Sequence, residues 1–326
     1  MIRVRHGYGC DRFGFLFCEN TPAGGAGGGG RSLRRGYLGT ENGQGQHEMR
    51  NLAARHQRFF DLHQAGCFVM PNPWDRGTAR MMAALGAQAL ATSSAAHAFT
   101  MGRADIGGVS LDEALAHAAD LLGATGLPLS GDFENGFADD PDGVAETVRL
   151  AGEVGLSGCS IEDTIPVAGA PAYAFDLAVE RVRAAVAAAR GLGRPFVLCA
   201  RADGVMNGTY DLTEGIRRLQ AFEAAGADLL YLPVPPGAAE LARVLASVTR
   251  PVNALAAGPL RKLSVAEMAA IGVRRISLGS QVARVAHAAI RGAMEAMMDA
   301  GDFTPLLAAA PGDQIDALLV KGAGDE

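Results

Sequence analysis

From Leu52 onward the chain alternates between two patterns, short apolar runs and longer segments with apolar residues at helical spacing. The apolar runs predict strands at 67–70, 87–91, 127–133, 158–161, 196–200, 229–232, 252–255 and 275–278. The helical spacing predicts helices at 51–65, 74–85, 111–122, 141–154, 177–190, 212–225, 238–247, 265–271 and 281–300. Punctuation agrees with pattern. Gly86, Gly155, Gly226 and Gly272 stand where helices end in a left-handed residue, and Pro141 stands where helices begin. Strand followed by helix, eight times over, predicts an α/β fold of the (β/α)8 TIM-barrel type. A doubly wound open sheet is disfavoured, because no GxGxxG follows the first strand.

Composition narrows this picture. The chain has 326 residues, near the upper size for one core, with 49% apolar and 20% charged residues. A net charge of −6 argues against a nucleic-acid partner, and no apolar run is long enough to cross a bilayer. Cys10, Cys18, Cys67, Cys159 and Cys199 show no CxxC spacing, the pattern of reduced thiols in a cytoplasmic protein. Residues 1–48 carry a glycine run and clustered arginines without periodicity. They are expected to form a disordered extension, with Met49 a candidate start and the barrel spanning 49–326.

The candidate chemistry centres on the stretch 127–136, where an apolar strand runs into Asp132 and Glu134. Alternate strand residues point the same way, so the two carboxylates share a face. They repel unless a cation or proton lies between them. In a barrel the C-terminal strand ends share one rim. That rim collects Thr92, Ser93 and Ser94, then Asp105, Glu162 and Asp163, then Arg201 and Asp203, and finally Asn253 and Ser277. Several acids facing one arginine call for a hard divalent cation, Mg²⁺ or Mn²⁺, with water completing its shell. Arg201 suits a bidentate grip on a substrate carboxylate or phosphonate.

The order of PNPWD (71–75), ATSSA (91–95), GRAD (102–105), GDFENG (131–136), SIED (160–163) and ARAD (200–203) resembles the isocitrate lyase/phosphoenolpyruvate mutase superfamily. The resemblance runs from residue 51 to the end of the last predicted helix. It implies Asp132 as the direct metal ligand, with Asp105, Glu134 and Glu162 holding metal-bound waters. It implies a grip on the oxo-acid carboxylate around Ser93, Ser94 and Ala95, and on its far acidic group by Arg201. It also implies a homo-oligomer, dimer or tetramer, in which the long last helix is swapped between subunits.

Two departures bear on the reaction. Glu134 replaces the family's usual Asp and is one methylene longer. The family's Lys-Lys/Arg-Cys-Gly-His loop, whose Cys is the general acid, is absent; residues 163–175 hold no Lys, Cys or His. Tyr173 is that loop's candidate proton donor, beside Arg201 and Glu162 as catalytic residues. His97 is expected to be an ordinary loop histidine, Asp75 a helix cap, and Asn253 a substrate contact. The expected function is a Mg²⁺-dependent carbon–carbon lyase acting on a small α-oxo or 2-hydroxy acid through a metal-stabilised enolate. The alternatives are P–C chemistry on phosphonopyruvate-like substrates and a non-catalytic oxo-acid-binding barrel.

Overall fold

The computed structural model describes residues 43–324, with side chains from Asn51 onward. Eight strands form one parallel sheet: β1 (Phe68–Met70), β2 (Leu90–Ala91), β3 (Leu129–Asp132), β4 (Gly158–Glu162), β5 (Val197–Arg201), β6 (Leu229–Tyr231), β7 (Val252–Leu255) and β8 (Arg275–Ser277). From β2 to β8 each strand pairs with its sequence neighbour, and β8 pairs with β1. The remaining seam, between β1 and β2, is bridged where the Ala91 amide donates to the Pro71 carbonyl at 3.1 Å. The barrel predicted from the pattern is the fold observed.

The helices are α1 (Gly43–Leu62), α2 (Arg76–Ala84), α3 (Ser94–Thr100), α4 (Leu111–Leu122), α5 (Pro141–Val154), α6 (Phe175–Gly191), α7 (Gly204–Asn207), α8 (Leu212–Ala224), α9 (Ala238–Ala246), α10 (Val265–Ala270), α11 (Gln281–Ala300) and α12 (Gly312–Gly322). Gly86, Gly155, Gly226 and Gly272 all take φ between 101° and 105°, the left-handed stops expected of them. Asp75 caps α2 in a reciprocal capping box with Thr78. The short α3 and α7, inside strand-to-helix loops, and α12, which lies against α2, were not expected from the pattern. The predicted extension lies, up to residue 42, outside the described residues, and α1 begins eight positions before its expected start at Asn51.

Two apolar layers hold the barrel. Leu129, Ile161 and Leu198 face outward onto helical Val144, Val148 and Ala185. The inner layer joins Phe59 of α1 to Phe68, Met70, Val197, Cys199, Leu229 and Tyr231. Phe59 is fully buried, so α1 fills the lower mouth of the barrel and leaves the upper rim open. Among the described residues, no helix is long and apolar enough to cross a membrane.

Three histidines are locked into this framework. His63 Nδ1–H donates to the Phe59 carbonyl at 2.7 Å, and His117 Nε2–H to the Trp74 carbonyl at 3.0 Å. His56 Nδ1 lies 2.9 Å from Ser157 Oγ. Burial pushes His56 and His117 down to about 4 and His63 to about 3. A histidine held neutral by the fold stabilises fully above its unfolded value near 6.5. As pH falls below that value, the unfolded chain binds protons that the folded one refuses, so stability is lost toward the folded value. Each such histidine should therefore cost up to about 1.4 kcal/mol per pH unit below 6.5. Between pH 6.5 and 4.5 wild type should therefore lose more melting temperature than His63→Gln does; equal losses in the two proteins would contradict this burial.

Candidate active site

Arg201, the last residue of β5, sits at the centre of the rim. Its Nη1 lies 2.9 Å from Asp132 Oδ1 and 2.8 Å from Glu162 Oε1, while Nη2 and Nε reach the two oxygens of Asp203 at 2.8 and 3.1 Å. The register explains the convergence: Glu162 pairs with Arg201 across β4 and β5, and Asp132 pairs with Ser160 across β3 and β4. The guanidinium also lies 4.9 Å from the centre of the Tyr231 ring. Above it opens a cavity of about 320 Å³ reached by Asp105, Glu134, Glu162 and Arg201. Residues 164–170 form one of its walls, and Met206 and Asn207 of α7 another.

The backbone after β3 is bent into this position. Glu134 and Phe137 take φ of 46° and 55°, which non-glycine residues seldom adopt. Such strain persists only where neighbours over-determine it. Here the Glu134 carbonyl accepts the Glu162 amide at 2.8 Å, and its carboxylate accepts the Gly107 amide at 3.1 Å. Arg181 of α6, 1% exposed, donates to the carbonyls of Asn135, Ala138 and Asp139. Gly107 has φ of 68°, and a Cβ there would stand 2.7 Å from the Pro166 carbonyl oxygen. Only glycine lets the Asp105 loop close onto the 164–170 loop at that point.

The site carries more negative charge than Arg201 can balance. Asp105, Asp132, Glu134, Glu162 and Asp203 share this one guanidinium. Burial raises the carboxyls of Asp105 and Glu162, and raises Glu134 to about 7, with Asp132 adding to the last. Among the described residues no three acidic, histidine or cysteine side chains form a ready-made metal cage. The donor set nevertheless fits Mg²⁺ or Mn²⁺, since it is all oxygen and under-neutralised. Mg²⁺ in particular takes one or two carboxylates and keeps several waters.

Other expected residues are placed as follows. Ser94 spends its amide and hydroxyl on Asp132 Oδ2, at 3.0 and 3.2 Å. Ser93 caps α3 by accepting the Ala96 amide, and Ala95 is buried in that helix. Tyr173 is not brought to the cavity. Its phenol donates to Asp139 at 2.5 Å and accepts from Asn135 at 2.8 Å, its ring lies under Arg181, and burial raises it further from donating a proton near neutrality. Asn253 is also withdrawn, fully buried between Arg275 and Ser277. Asp163, expected on the rim, turns instead to Arg218 at 3.0 Å and Tyr210 at 2.8 Å. It follows Glu162 by one residue on a strand, so alternation should have sent it to the other side. His97 stacks on His117 with ring centres 3.8 Å apart. The 164–170 wall has no signal in the sequence beyond its lack of charged residues.

Comparisons with known proteins agree with this architecture. Residues 59–298 match the family model described as phosphoenolpyruvate phosphomutase. The chain is 30% identical over 270 residues to the oxaloacetate decarboxylase of Paraburkholderia xenovorans (strain LB400), covering 81% of this chain and 87% of that one. A crystal structure from Burkholderia cenocepacia J2315, described as a lyase/mutase, superimposes with a TM-score of 0.79 at 47% identity, covering 82% of this chain and 96% of that one. Oxaloacetate acetylhydrolase with its product oxalate gives 0.72 at 26% identity, covering 82% and 94%. The match over most of the barrel makes this chain a member of the phosphoenolpyruvate phosphomutase family, within the isocitrate lyase/phosphoenolpyruvate mutase superfamily.

Proposed function

We propose that this protein is a divalent-metal-dependent carbon–carbon lyase acting on a small α-oxo acid of the oxaloacetate type. The observation that carries the reading is Arg201 held among Asp132, Glu162 and Asp203 at the floor of an acid-lined cavity. Asp132, with Glu134, Glu162 and Asp105 around it, would hold the cation, which when bound supplies Lewis-acid stabilisation of an enolate. With Asp132 and Glu162 turned to the ion, both Nη1–H groups of Arg201 become available to a substrate carboxylate. Asp203 keeps the guanidinium plane fixed meanwhile, since it alone uses the Nε edge.

The wall formed by residues 164–170 restricts the chemistry. Among the described residues no Lys, Cys, His or Tyr lines the cavity; its titratable side chains besides Arg201 are carboxyls, and those of Glu134 and Glu162 already face the proposed cation. Decarboxylation or cleavage of an activated oxo acid needs less help, because solvent can return the proton to the enolate carbon. That favours short oxo acids over isocitrate. Val167 and Ile106 are exposed at this edge, where a closing wall could exclude water from the substrate. The P–C alternative shares the same cation and arginine, and the substrate panel below separates the two.

Homo-oligomerisation belongs to the same reading. Val285, Ile290, Met294 and Met298 of α11 are exposed, with Met298 at 76%. Apolar side chains along a helix left uncovered by the described residues fit a second copy of this chain. Light scattering at micromolar concentration should give a dimer or tetramer, and a monomer would remove this element.

The reaction is tested by following pyruvate from oxaloacetate against the spontaneous rate. Wild type should show turnover that chelator abolishes and Mg²⁺ restores, with little activity on isocitrate or phosphonopyruvate. Arg201→Ala should lower kcat/KM by about 100-fold or more. Turnover that survives both chelator and Arg201→Ala would place catalysis elsewhere. Oxo-acid binding without turnover on any acid or phosphonate would leave a binding barrel.

A further inference from the structure

The cavity above Arg201 is not lined by carboxylates alone. Three of its side chains are large, apolar and open to solvent: Ile106 at 54%, Val167 at 62% and Met206 at 43% exposure. They come from three separate segments, the Asp105 loop, the 164–170 wall and α7. Each is held in place. Ile106 has φ of 68°, a genuine outlier for a β-branched residue, and such strain gathers at active sites and ligand clamps. The residues that follow impose it, since the Gly107 amide donates to Glu134 at 3.1 Å and the Gly108 carbonyl accepts from Arg103 at 3.2 Å. Val167 occupies a tight turn, its amide donating to the Ile165 carbonyl at 2.8 Å and its carbonyl accepting the Ala170 amide at 2.9 Å. Met206 lies on the helix that starts after Asp203, the residue that fixes Arg201.

Charge limits what this apolar trio can meet. Arg201 is the one cationic side chain lining the cavity among the described residues. With one substrate carboxylate on Arg201 and the oxo-acid end on the proposed cation, a further charged group would lie among carboxylates without a partner, which is costly. An apolar group there gains by leaving water. We propose that Ile106, Val167 and Met206 form an apolar clamp that selects a 2-oxo diacid carrying a short alkyl chain on carbon 3, beside the bond that breaks. The inference rests on the oxo-acid reading of the same site and deepens it. In such a substrate the C3–C4 bond breaks and C4 leaves as carbon dioxide. The bond's electron pair stays on the oxo-acid fragment, and a solvent proton closes C3 to give a longer 2-oxo acid.

Binding of those products gives a test that needs no turnover. Pyruvate, 2-oxobutanoate and 2-oxopentanoate are titrated calorimetrically into the full chain in excess Mg²⁺. Kd should fall along the series by about fourfold for each methylene buried. Ile106→Gly should flatten the series while Tm holds or rises, because glycine accepts the left-handed backbone without strain. Val167→Ser, at an exposed turn, should flatten it as well. Pyruvate binding with equal or weaker affinity for the longer acids would overturn this inference alone. No binding of any of the three acids would overturn the oxo-acid reading and the clamp together. A steep series kept by both variants, or lost only with a fall in Tm, would show that these side chains do not select the substrate.

Discussion

The structure depends most on how one buried guanidinium shares its charge. Arg201 makes ion pairs of 2.8–2.9 Å with Asp132, Glu162 and Asp203, contributed by three different strand ends. In water each pair would contribute little, but at this depth an unmatched charge is costly. The arrangement holds the rim together while leaving it over-supplied with carboxylates, two more of which, Asp105 and Glu134, face the same cavity. A rim that stays under-neutralised in its own fold is what the proposed cation site requires. Deeper in the lumen, buried Arg275 pairs through Nε with Asn253 and, among the described residues, with no carboxylate.

The scaffold is shaped to maintain that arrangement. Phe59 closes the bottom of the barrel, so the acid cluster opens only toward the rim. Arg181 binds three carbonyls of the turn that carries Glu134, and Gly107 lets the Asp105 loop approach Pro166. The left-handed conformation of Glu134 is the strained point that these contacts support. Buried Asp163 does similar work one strand over, where it joins Arg218 and Tyr210 to the Asp203 amide at 2.8 Å. These residues position the site without touching what it binds.

The barrel was legible in the sequence because its signals are local. Apolar runs, helical spacing and glycine stops recur at every turn of the chain, and four of those glycines take the expected left-handed angle. Asp132, Glu134, Glu162 and Arg201 were legible for the same reason, standing at or just past strand ends that the pattern marks. What was not legible depends on partners distant in sequence. Tyr173 looked like a free phenol until Asp139, 34 residues away, was seen to hold it. Asn253 looked like a rim residue, but its partner Arg275 lies on the next strand and draws it into the lumen. The short α3 and α7 escape periodicity because each is only one or two turns long.

The central claim is that the surplus of carboxylates around Arg201 is a cation site built on Asp132. Titration calorimetry of Mg²⁺ into the wild-type protein and into Asp132→Ala tests it most directly, with circular dichroism confirming that both are folded. The account predicts saturable binding near one ion per chain in wild type and none in Asp132→Ala. Equal Mg²⁺ binding by the two proteins would contradict it.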